Sequence, residues 1–227
     1  MLFKDRIEAG YILAERLRRY ANRSDTLVLG LARGGMPVAF EVARTLNVPL
    51  DVFIVRKLGV PGQEELAMGA IASGQVTFFN KDIMELLNIS AESLQAVIAK
   101  ETKELQRREE AYRGQQPPLD VHDRIVILID DGLATGASMR AAIAALSKQR
   151  TSRLVVAVPV GAPQTCDEIS SIVDELICTT TPEPFYGVGR WYENFPQTTD
   201  EEVRHLLQTA QRLQSHGGNP DPAPTLP

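Results

Sequence analysis

One segment, Val126 to Ser138, combines residue types that could bind a phosphorylated sugar. Its apolar run ends in two adjacent carboxylates, Asp130 and Asp131, which we call the acid pair. A small-residue turn follows, consisting of Gly132, Leu133, Ala134, Thr135, Gly136, Ala137 and Ser138. Small residues let backbone N–H groups approach an anion, hydroxyls add donors, and a helix N-terminus adds partial positive charge. The turn is therefore a candidate anion site at the carboxyl end of a strand, where open α/β sheets bind their ligands.

The acid pair limits which anion could bind there. Two carboxylates would repel a bare polyphosphate. They would suit a ligand that presents sugar hydroxyls to the carboxylates and a single phosphate to the turn. A Mg²⁺ ion held nearby would offset the remaining repulsion.

Other interpretations of this segment can be compared with its residues. A Walker A loop needs a Lys before the Thr or Ser of the turn, and none is present. Gly30, Gly34 and Gly35 do not form the GxGxxG pattern of a dinucleotide site. Two alternatives stay open. One is a receiver-like phosphoacceptor, which labelling with acetyl phosphate would reveal, and the other is a purely structural strand-turn-helix corner.

The elements that position this segment follow from hydrophobic patterning. Short Val, Ile and Leu runs that are each followed by a helical pattern predict an α/β fold with a mainly parallel central sheet and helices on both faces. The expected strands are Thr26 to Ala32, Val52 to Val55, Ala70 to Ile71, Val76 to Phe79, Ile125 to Ile129, Leu154 to Val158 and Glu175 to Cys178. The expected helices are an N-terminal one with Ile7, Tyr11, Ala14 and Leu17 on one face, Met36 to Leu46, one from Ala137, Pro163 to Ile172 and Asp200 to Leu213.

A long amphipathic helix is expected from Ser90 to Tyr112, with Ser90 as its N-cap and Gly114 as its end. The apolar stripe consists of Leu94, Val97, Ile98 and Leu105. The charged residues Lys100, Glu101, Lys103, Glu104, Arg107, Arg108, Glu109 and Glu110 are expected on a solvated outer face with i,i+4 pairs. The alternative is that this helix packs in a dimer.

With Thr135, Gly136, Ala137 and Ser138 matching T-G-x-[ST], the segment resembles the ribose-phosphate motif of type I phosphoribosyltransferases. The resemblance implies that fold, with a variable hood and an inserted long helix. It also implies that the acid pair holds the ribose hydroxyls of phosphoribosyl diphosphate (PRPP). The turn at residues 132–138 would line the sugar-phosphate site, with Ala134 to Ser138 on the 5′-phosphate.

Two upstream segments are similar to other parts of this family. The residues Ala32, Arg33, Gly34 and Gly35 follow the first strand, where these enzymes carry a pyrophosphate loop. The segment Arg56 to Gly62 is similar to the start of the mobile loop of adenine phosphoribosyltransferases, in which a basic pair, here Arg56 and Lys57, faces the pyrophosphate. Its Gly and Pro spacing predicts an irregular charged loop, with a mobile lid from about Lys57 to Met68. A simple exposed surface loop is the alternative.

The aromatic segment Phe185 to Phe195 is distantly similar to the hood that binds the base in purine enzymes of this family. Tyr186, Trp191 and Tyr192 are then the candidate base-stacking residues. The alternative is that these rings seal the C-terminal part of the chain onto the core.

The resemblance implies a glycosyltransferase that moves a 5-phosphoribosyl group from PRPP to a small nitrogenous base and releases pyrophosphate, with purine salvage favoured. Asp130, Asp131, Arg56 and Lys57 would be the catalytic residues. Mg²⁺ would bind mainly through PRPP near the acid pair, in a homodimer. The alternative is a PRPP- or nucleotide-sensing regulator of the same fold with little or no catalysis.

Composition excludes several other classes. The chain has 227 residues, with 24 Lys and Arg against 29 Asp and Glu, and a net charge of −5, which argues against nucleic acid as a partner. Its 2 cysteines, Cys166 and Cys178, form no CxxC pair, and its 3 histidines form no HExxH motif. With no apolar run long enough for a membrane span, a cytoplasmic protein is expected. We expect one domain over residues 1–215, with a helical insertion at about 81–116, hood elements at 184–196 and a disordered Pro-rich tail at 216–227.

Overall fold

Residues 2–74, 76–87, 89–114, 116 and 119–215 are described by a computed structural model. The strands are β1 (Thr26–Leu31), β2 (Leu50–Phe53), β3 (Val55–Val60), β4 (Gln63–Ala72), β5 (Val76–Phe79), β6 (Ile125–Ile129), β7 (Arg153–Val160) and β8 (Glu175–Thr180). The helices are α1 (Arg6–Arg16), α2 (Gly35–Leu46), α3 (Lys81–Leu86), α4 (Ala91–Arg113), α5 (Ala137–Leu146), α6 (Pro163–Ser170) and α7 (Asp200–Ser215). The expected tail at residues 216–227 lies outside the described residues.

The central sheet has five strands in the order β2-β1-β6-β7-β8, and every neighbouring pair is parallel. Alternate residues of a strand point to opposite faces. On β6, Ile127 packs in one apolar cluster with α1 and α2, whereas Val126 and Leu128 pack in a second cluster with α5 and α6. The predicted α/β fold, with a parallel sheet covered on both faces, is therefore confirmed.

A second, antiparallel sheet in the order β3-β4-β5 replaces the irregular loop expected from Arg56 to Gly62, so that expectation was wrong. The glycine and proline fit the hairpin because Gly59 lies where the strand register shifts and Pro61 lies in the turn. Leu58 and Met68, on the two strands, are fully buried and anchor the hairpin. The segment predicted as a lid thus begins and ends inside a packed sheet.

Two smaller expectations shift in the structure. The second strand ends at Phe53 instead of continuing to Val55, because β3 begins there. On α1 the buried face is formed by Arg6, Ala9, Gly10, Leu13 and Ala14. Ile7, which was expected on the apolar face, is 49% exposed. Its backbone N–H instead donates to the side chain of Asp5, the residue that caps the helix.

Helix α4 begins and ends as predicted. The Ser90 hydroxyl accepts a hydrogen bond from the Ser93 N–H, and Gly114 follows the last turn. On the outer face, Glu104 pairs with Arg107 and Arg108, whose hydrogen bonds lower its pKa to about 2. The assignment of Glu101 to this solvated face was wrong, because its side chain is 10% exposed and points at the β3-β4-β5 sheet.

Within the described ranges, no helix is both long and apolar enough to cross a lipid bilayer.

Candidate active site

The acid pair lies at the carboxyl end of β6, between the ends of β1 and β7. The loop at residues 32–35, which follows β1, packs directly against it. A Cβ atom placed on Gly34 would lie 2.3 Å from Asp131 Oδ2, and one on Gly35 would lie 2.6 Å from the Ile129 carbonyl oxygen. A side chain at Gly35 would collide with backbone atoms, and one at Gly34 would displace the Asp131 carboxylate. The 32–35 loop and the acid pair were both predicted as site segments from the sequence, and in the structure they are in contact.

The small-residue turn is open to solvent on its outer side. Ala134, Thr135, Ala137 and Ser138 are exposed, whereas Gly132, Leu133 and Gly136 are buried. Gly136 caps α5 with a φ of 70°, in the left-handed region that favours glycine. The exposed face therefore presents the first turn of α5, which carries the positive end of the helix dipole.

The inner side of this turn is fastened to β7 and α6. The Leu133 N–H donates to the Val160 carbonyl at 2.9 Å, and the Ala162 N–H donates to the Leu133 carbonyl at 2.8 Å. The Thr165 hydroxyl, from α6, donates to the Ala134 carbonyl at 2.7 Å. These bonds fix the backbone of the turn without using its outward-facing hydroxyls.

The acid pair is largely withdrawn from water. The side chain of Asp131 is 14% exposed, and Asp130 accepts the Asp131 N–H at 2.9 Å. Burial, and then the neighbouring Asp131 charge, hold the pKa of Asp130 well above its usual range. Burial also raises the pKa of Asp131, and the charge of Arg6 opposes that rise.

Arg6 is a site residue that the sequence analysis missed. Its Nε and Nη2 lie 2.9 and 2.8 Å from Asp131 Oδ2, and its Nη1 donates to the Pro196 carbonyl at 2.7 Å. The guanidinium also lies 3.8 Å from the centroid of the Phe195 ring. The available signal was its spacing from Ala9 and Leu13, which places an arginine on the buried face of α1.

The hood segment, residues 184–196, closes over the same region. Tyr192 is 5% exposed, stacks on Phe195 with ring centroids 4.8 Å apart, and donates its hydroxyl to the Asp131 carbonyl at 2.6 Å. This burial leaves no ring face of Tyr192 open to a base and favours the sealing role for it. Tyr186, in contrast, is 81% exposed, and Trp191 is half-buried.

The structure separates the basic pair that was expected to face the pyrophosphate. Because neighbouring residues of a strand point to opposite faces, Arg56 and Lys57 of β3 diverge. Arg56 pairs with Glu101 of α4, with Nη2 and Nε at 2.6 and 2.8 Å from Oε2. Lys57 lines a cavity of about 260 Å³ together with Ala137 and Ser138 of the small-residue turn. Of the two, only Lys57 lies beside that turn.

Arg33, in the 32–35 loop, is directed away from the acid pair. Its guanidinium lies 3.3 Å from Asp200 at the start of α7, and the Tyr112 hydroxyl donates to the same carboxylate at 2.7 Å. Burial and this hydrogen bond raise the pKa of Tyr112 to about 12. Because the Arg33 side chain is bound to Asp200, the 32–35 loop faces the acid pair with its backbone.

The carboxylate oxygens of the acid pair could bind a magnesium ion only together with oxygens of a bound ligand. Among the described residues, no three His, Cys, Asp or Glu side chains cluster as metal ligands. Asp130 Oδ1 and Asp131 Oδ2 already accept hydrogen bonds from the protein. Since Mg²⁺ requires about six oxygens and keeps several from water and phosphates, the acid pair could supply a minority of its shell.

Known proteins with similar sequences and folds point to one family. The model of the phosphoribosyl transferase domain matches residues 5–189. A Mycobacterium tuberculosis H37Rv protein named "Putative phosphoribosyl transferase" is 42% identical over 226 residues, which cover 100% of this chain and 51% of that protein. The chain thus spans about half the length of this relative. The crystal structure of TT1426 from Thermus thermophilus is 38% identical with a TM-score of 0.81, over 92% of this chain and 99% of that one. Because the family match extends over most of its length, the chain belongs to the phosphoribosyl transferase family.

Proposed function

We propose that this protein transfers the 5-phosphoribosyl group of PRPP to a small nitrogenous base and releases pyrophosphate. One observation carries the proposal: the glycine backbone of the 32–35 loop packs against the acid pair, directly beside an open small-residue turn. A ligand with a pyrophosphate, two ribose hydroxyls and a 5′-phosphate has a partner for each part there.

The acid pair would bind the ribose. With Oδ2 of Asp131 held by Arg6, its Oδ1 would be the atom that accepts from a hydroxyl. Charge-assisted hydrogen bonds of this kind contribute about 1.5–3 kcal/mol each. The ion pair with Arg6 opposes protonation of Asp131, which would otherwise remove one acceptor.

The small-residue turn would bind the 5′-phosphate through the N–H groups of the first turn of α5 and the hydroxyls of Thr135 and Ser138. Lys57 lines the same cavity as Ser138 and would add a positive charge at this end of the ligand. Arg56 would reach a pyrophosphate only after leaving Glu101.

The reaction breaks the C1–O bond to pyrophosphate and forms a C1–N bond to the base. As the leaving group departs, the protein's task is to position both partners and to stabilise charge. The backbone N–H groups near Gly34 would stabilise the departing oxygens, with Lys57 adding charge. Mg²⁺, held by the acid pair and the ligand's own oxygens, would make pyrophosphate a better leaving group.

We further propose a purine as the acceptor, with Tyr186 and Trp191 of the hood segment against the base. Tyr186 supports this role because its ring is 81% exposed and therefore free to stack on a base. Val188, two residues along the same hood segment, packs on Gly132 of the small-residue turn, where a Cβ atom added to the glycine would lie 2.6 Å from the valine side chain. Purine salvage would then be the cellular role.

We also propose that the protein is a homodimer in the cytoplasm. Analytical ultracentrifugation tests the oligomeric state, and cell fractionation tests the location.

A lid is proposed for the tip of the β3–β4 hairpin alone, because Leu58 and Met68 anchor its base. A lid that closes over the ligand would exclude the water that hydrolyses PRPP. Limited proteolysis should cut near Gly62 in the free protein, and Mg²⁺ with PRPP should slow that cut. Equal cleavage with and without ligand would contradict gating.

The deciding experiment incubates the purified protein with PRPP, Mg²⁺ and each nucleobase in turn and follows pyrophosphate release. Release that depends on one base, and that needs about tenfold or more PRPP in Asp131→Asn, would support the enzyme. Binding of PRPP without release for any base would favour the alternative, a PRPP- or nucleotide-sensing regulator of the same fold. A protein that binds neither PRPP nor a nucleotide, and that does not turn over PRPP, would contradict both.

A further inference from the structure

The chain's 2 cysteines lie against each other in the fold. Cys166 is in the first turn of α6 and Cys178 is on β8, and both are free thiols. Gly161, the residue after β7, has no side chain and so leaves room for both sulfur atoms. A Cβ atom on this glycine would lie 2.4 Å from the Cys166 sulfur and 3.4 Å from the Cys178 sulfur. The spacing of the two residues in the sequence gave no sign of this contact.

We propose that Cys166 and Cys178 are a redox modification site, at which a peroxide forms a disulfide that loosens the small-residue turn. In reducing compartments, protein disulfides are usually transient and redox-sensing. The proposal does not depend on which reaction the site catalyses.

The two thiols differ in a way that assigns their roles. The neighbouring Cys178 thiol lowers the pKa of Cys166, whereas the contact with Cys166 and burial raise the pKa of Cys178, whose S–H donates to the Thr180 carbonyl at 3.1 Å. Since the thiolate is the nucleophile, the lower pKa assigns the first oxidation to Cys166, which is 5% exposed and is therefore reached by peroxide only when the first turn of α6 opens. Cys178, which is less buried, is the resolving thiol.

The chemistry balances with hydrogen peroxide as the oxidant. The Cys166 thiolate attacks one peroxide oxygen, the O–O bond breaks, and hydroxide leaves with a sulfenic acid on Cys166. The Cys178 sulfur then attacks the sulfenic sulfur, and the S–O bond breaks. The departing hydroxide takes the Cys178 proton and leaves as water. Overall the two thiols are oxidised to a disulfide, and one peroxide is reduced to two waters.

The disulfide would act on the turn through Thr165, the residue next to Cys166. The Thr165 hydroxyl donates to the Ala134 carbonyl at 2.7 Å, and its methyl lies 2.7 Å from the position of a Cβ on Gly136. A disulfide requires an S–S distance of about 2.05 Å, shorter than any contact between two thiols. Drawing Cys166 toward β8 therefore pulls the first turn of α6, and Thr165 with it, away from the turn.

The test treats the full chain with hydrogen peroxide and measures intact mass and amide hydrogen exchange. We expect the loss of two hydrogens per chain, reversed by dithiothreitol. Exchange in peptides that cover residues 133–138 should accelerate by about threefold or more in the oxidised form. Neither readout requires PRPP, so a failure of the proposed transferase activity would leave this test intact.

Two variants control the experiment. Cys178→Ser should stop at the sulfenic acid, which a 1,3-diketone probe traps on Cys166, and its exchange at 133–138 should stay unchanged by peroxide. Cys166→Ala, which keeps an apolar side chain, should react with neither reagent. An intermolecular disulfide, sulfinic acid without a disulfide, or a disulfide that leaves exchange at 133–138 unchanged would overturn the proposal.

Discussion

The acid pair and the small-residue turn are consecutive in the sequence but are held in place by opposite means. The Asp131 side chain is only 14% exposed, and side chains distant in the sequence bind this residue, Arg6 at its carboxylate and Tyr192 at its carbonyl. The turn is fastened mainly through its backbone and leaves Thr135 and Ser138 exposed. Asp131 thus depends on long-range ion pairing, whereas the turn depends on local backbone geometry. Substitutions in the two regions should therefore differ in kind as well as in size.

The largest effect is expected from Arg6→Met, which keeps most of the apolar stem and removes the charge. It leaves the Asp131 carboxylate without its counter-charge in a site where the pair is only 10% and 14% exposed. Breaking such a pair costs about 3 kcal/mol of unfolding free energy. Urea denaturation measures this loss.

Arg18→Met is the matched control for Arg6→Met, because Arg18 pairs with Glu15 on the surface, with side chains 71% and 55% exposed. Its urea midpoint should match that of the wild type. Equal urea midpoints for Arg6→Met and Arg18→Met would show that the ion pair between Arg6 and Asp131 contributes nothing to stability. The proposed difference between the acid pair and the small-residue turn would then be wrong.

Asp131→Asn should have the next largest effect, on ligand binding. The neutral amide weakens hydrogen bonds to the ribose hydroxyls by about 1.5–3 kcal/mol, which is roughly a tenfold to hundredfold loss of PRPP affinity. Inorganic phosphate should bind the turn as well as before, or better, because a nearby negative charge is gone. Calorimetric titration of both ligands measures the difference. Equal losses for phosphate and PRPP would show that the carboxylate serves the phosphate, contrary to the proposed division of roles.

The contrast also explains how much of the site could be predicted from sequence. The strand, the acid pair and the turn follow one another directly, so local pattern was enough to predict them. The ion pair between Arg6 and Asp131 joins residues 125 positions apart, and the ion pair between Arg56 and Glu101 joins residues 45 positions apart. Neither pairing leaves a local pattern. The β3–β4 hairpin differs from the predicted loop because Gly59 and Pro61 are typical of irregular segments, whereas here the register shift accommodates Gly59, the turn accommodates Pro61, and buried Leu58 and Met68 anchor the strands.

A pH-dependent effect is expected from Asp130→Asn. The folded-state pKa of Asp130 is raised above its unfolded value, so between the two pKa values the native state binds more protons than the unfolded state. Wild-type stability should therefore fall as pH rises through that window. The asparagine keeps an acceptor for the Asp131 N–H and carries no charge, so the variant should be more stable than the wild type above the window.

Thermal melts of the wild type and Asp130→Asn from pH 4 to pH 9 measure this difference. The gap between the two proteins should widen with rising pH and then stay constant. A variant that is less stable than the wild type at neutral pH would mean that the Asp130 carboxylate is stabilised by its surroundings, in conflict with its burial beside Asp131.

The smallest effect is expected from Thr135→Val, which removes one exposed hydroxyl and keeps the shape of the turn. If backbone N–H groups carry most of the phosphate binding, the loss should be about 0.5–1.5 kcal/mol, or roughly twofold to tenfold in affinity. The loss should be the same for PRPP and for ribose 5-phosphate, because both ligands present the same 5′-phosphate to the turn. Stability should stay at the wild-type value, since the bonds that fasten the turn come from Leu133, Ala162 and Thr165.

Calorimetric titration of Thr135→Val with the two ligands, beside Asp131→Asn, separates the two regions. Asp131→Asn should weaken both ribose ligands and spare inorganic phosphate, whereas Thr135→Val should weaken all three by a similar small factor. A loss in Thr135→Val that is confined to PRPP would place this hydroxyl near the pyrophosphate instead. A loss of a hundredfold or more would mean that the turn relies on its side chains, as the acid pair does, because removing a single hydroxyl hydrogen bond from an intact backbone cradle cannot account for it.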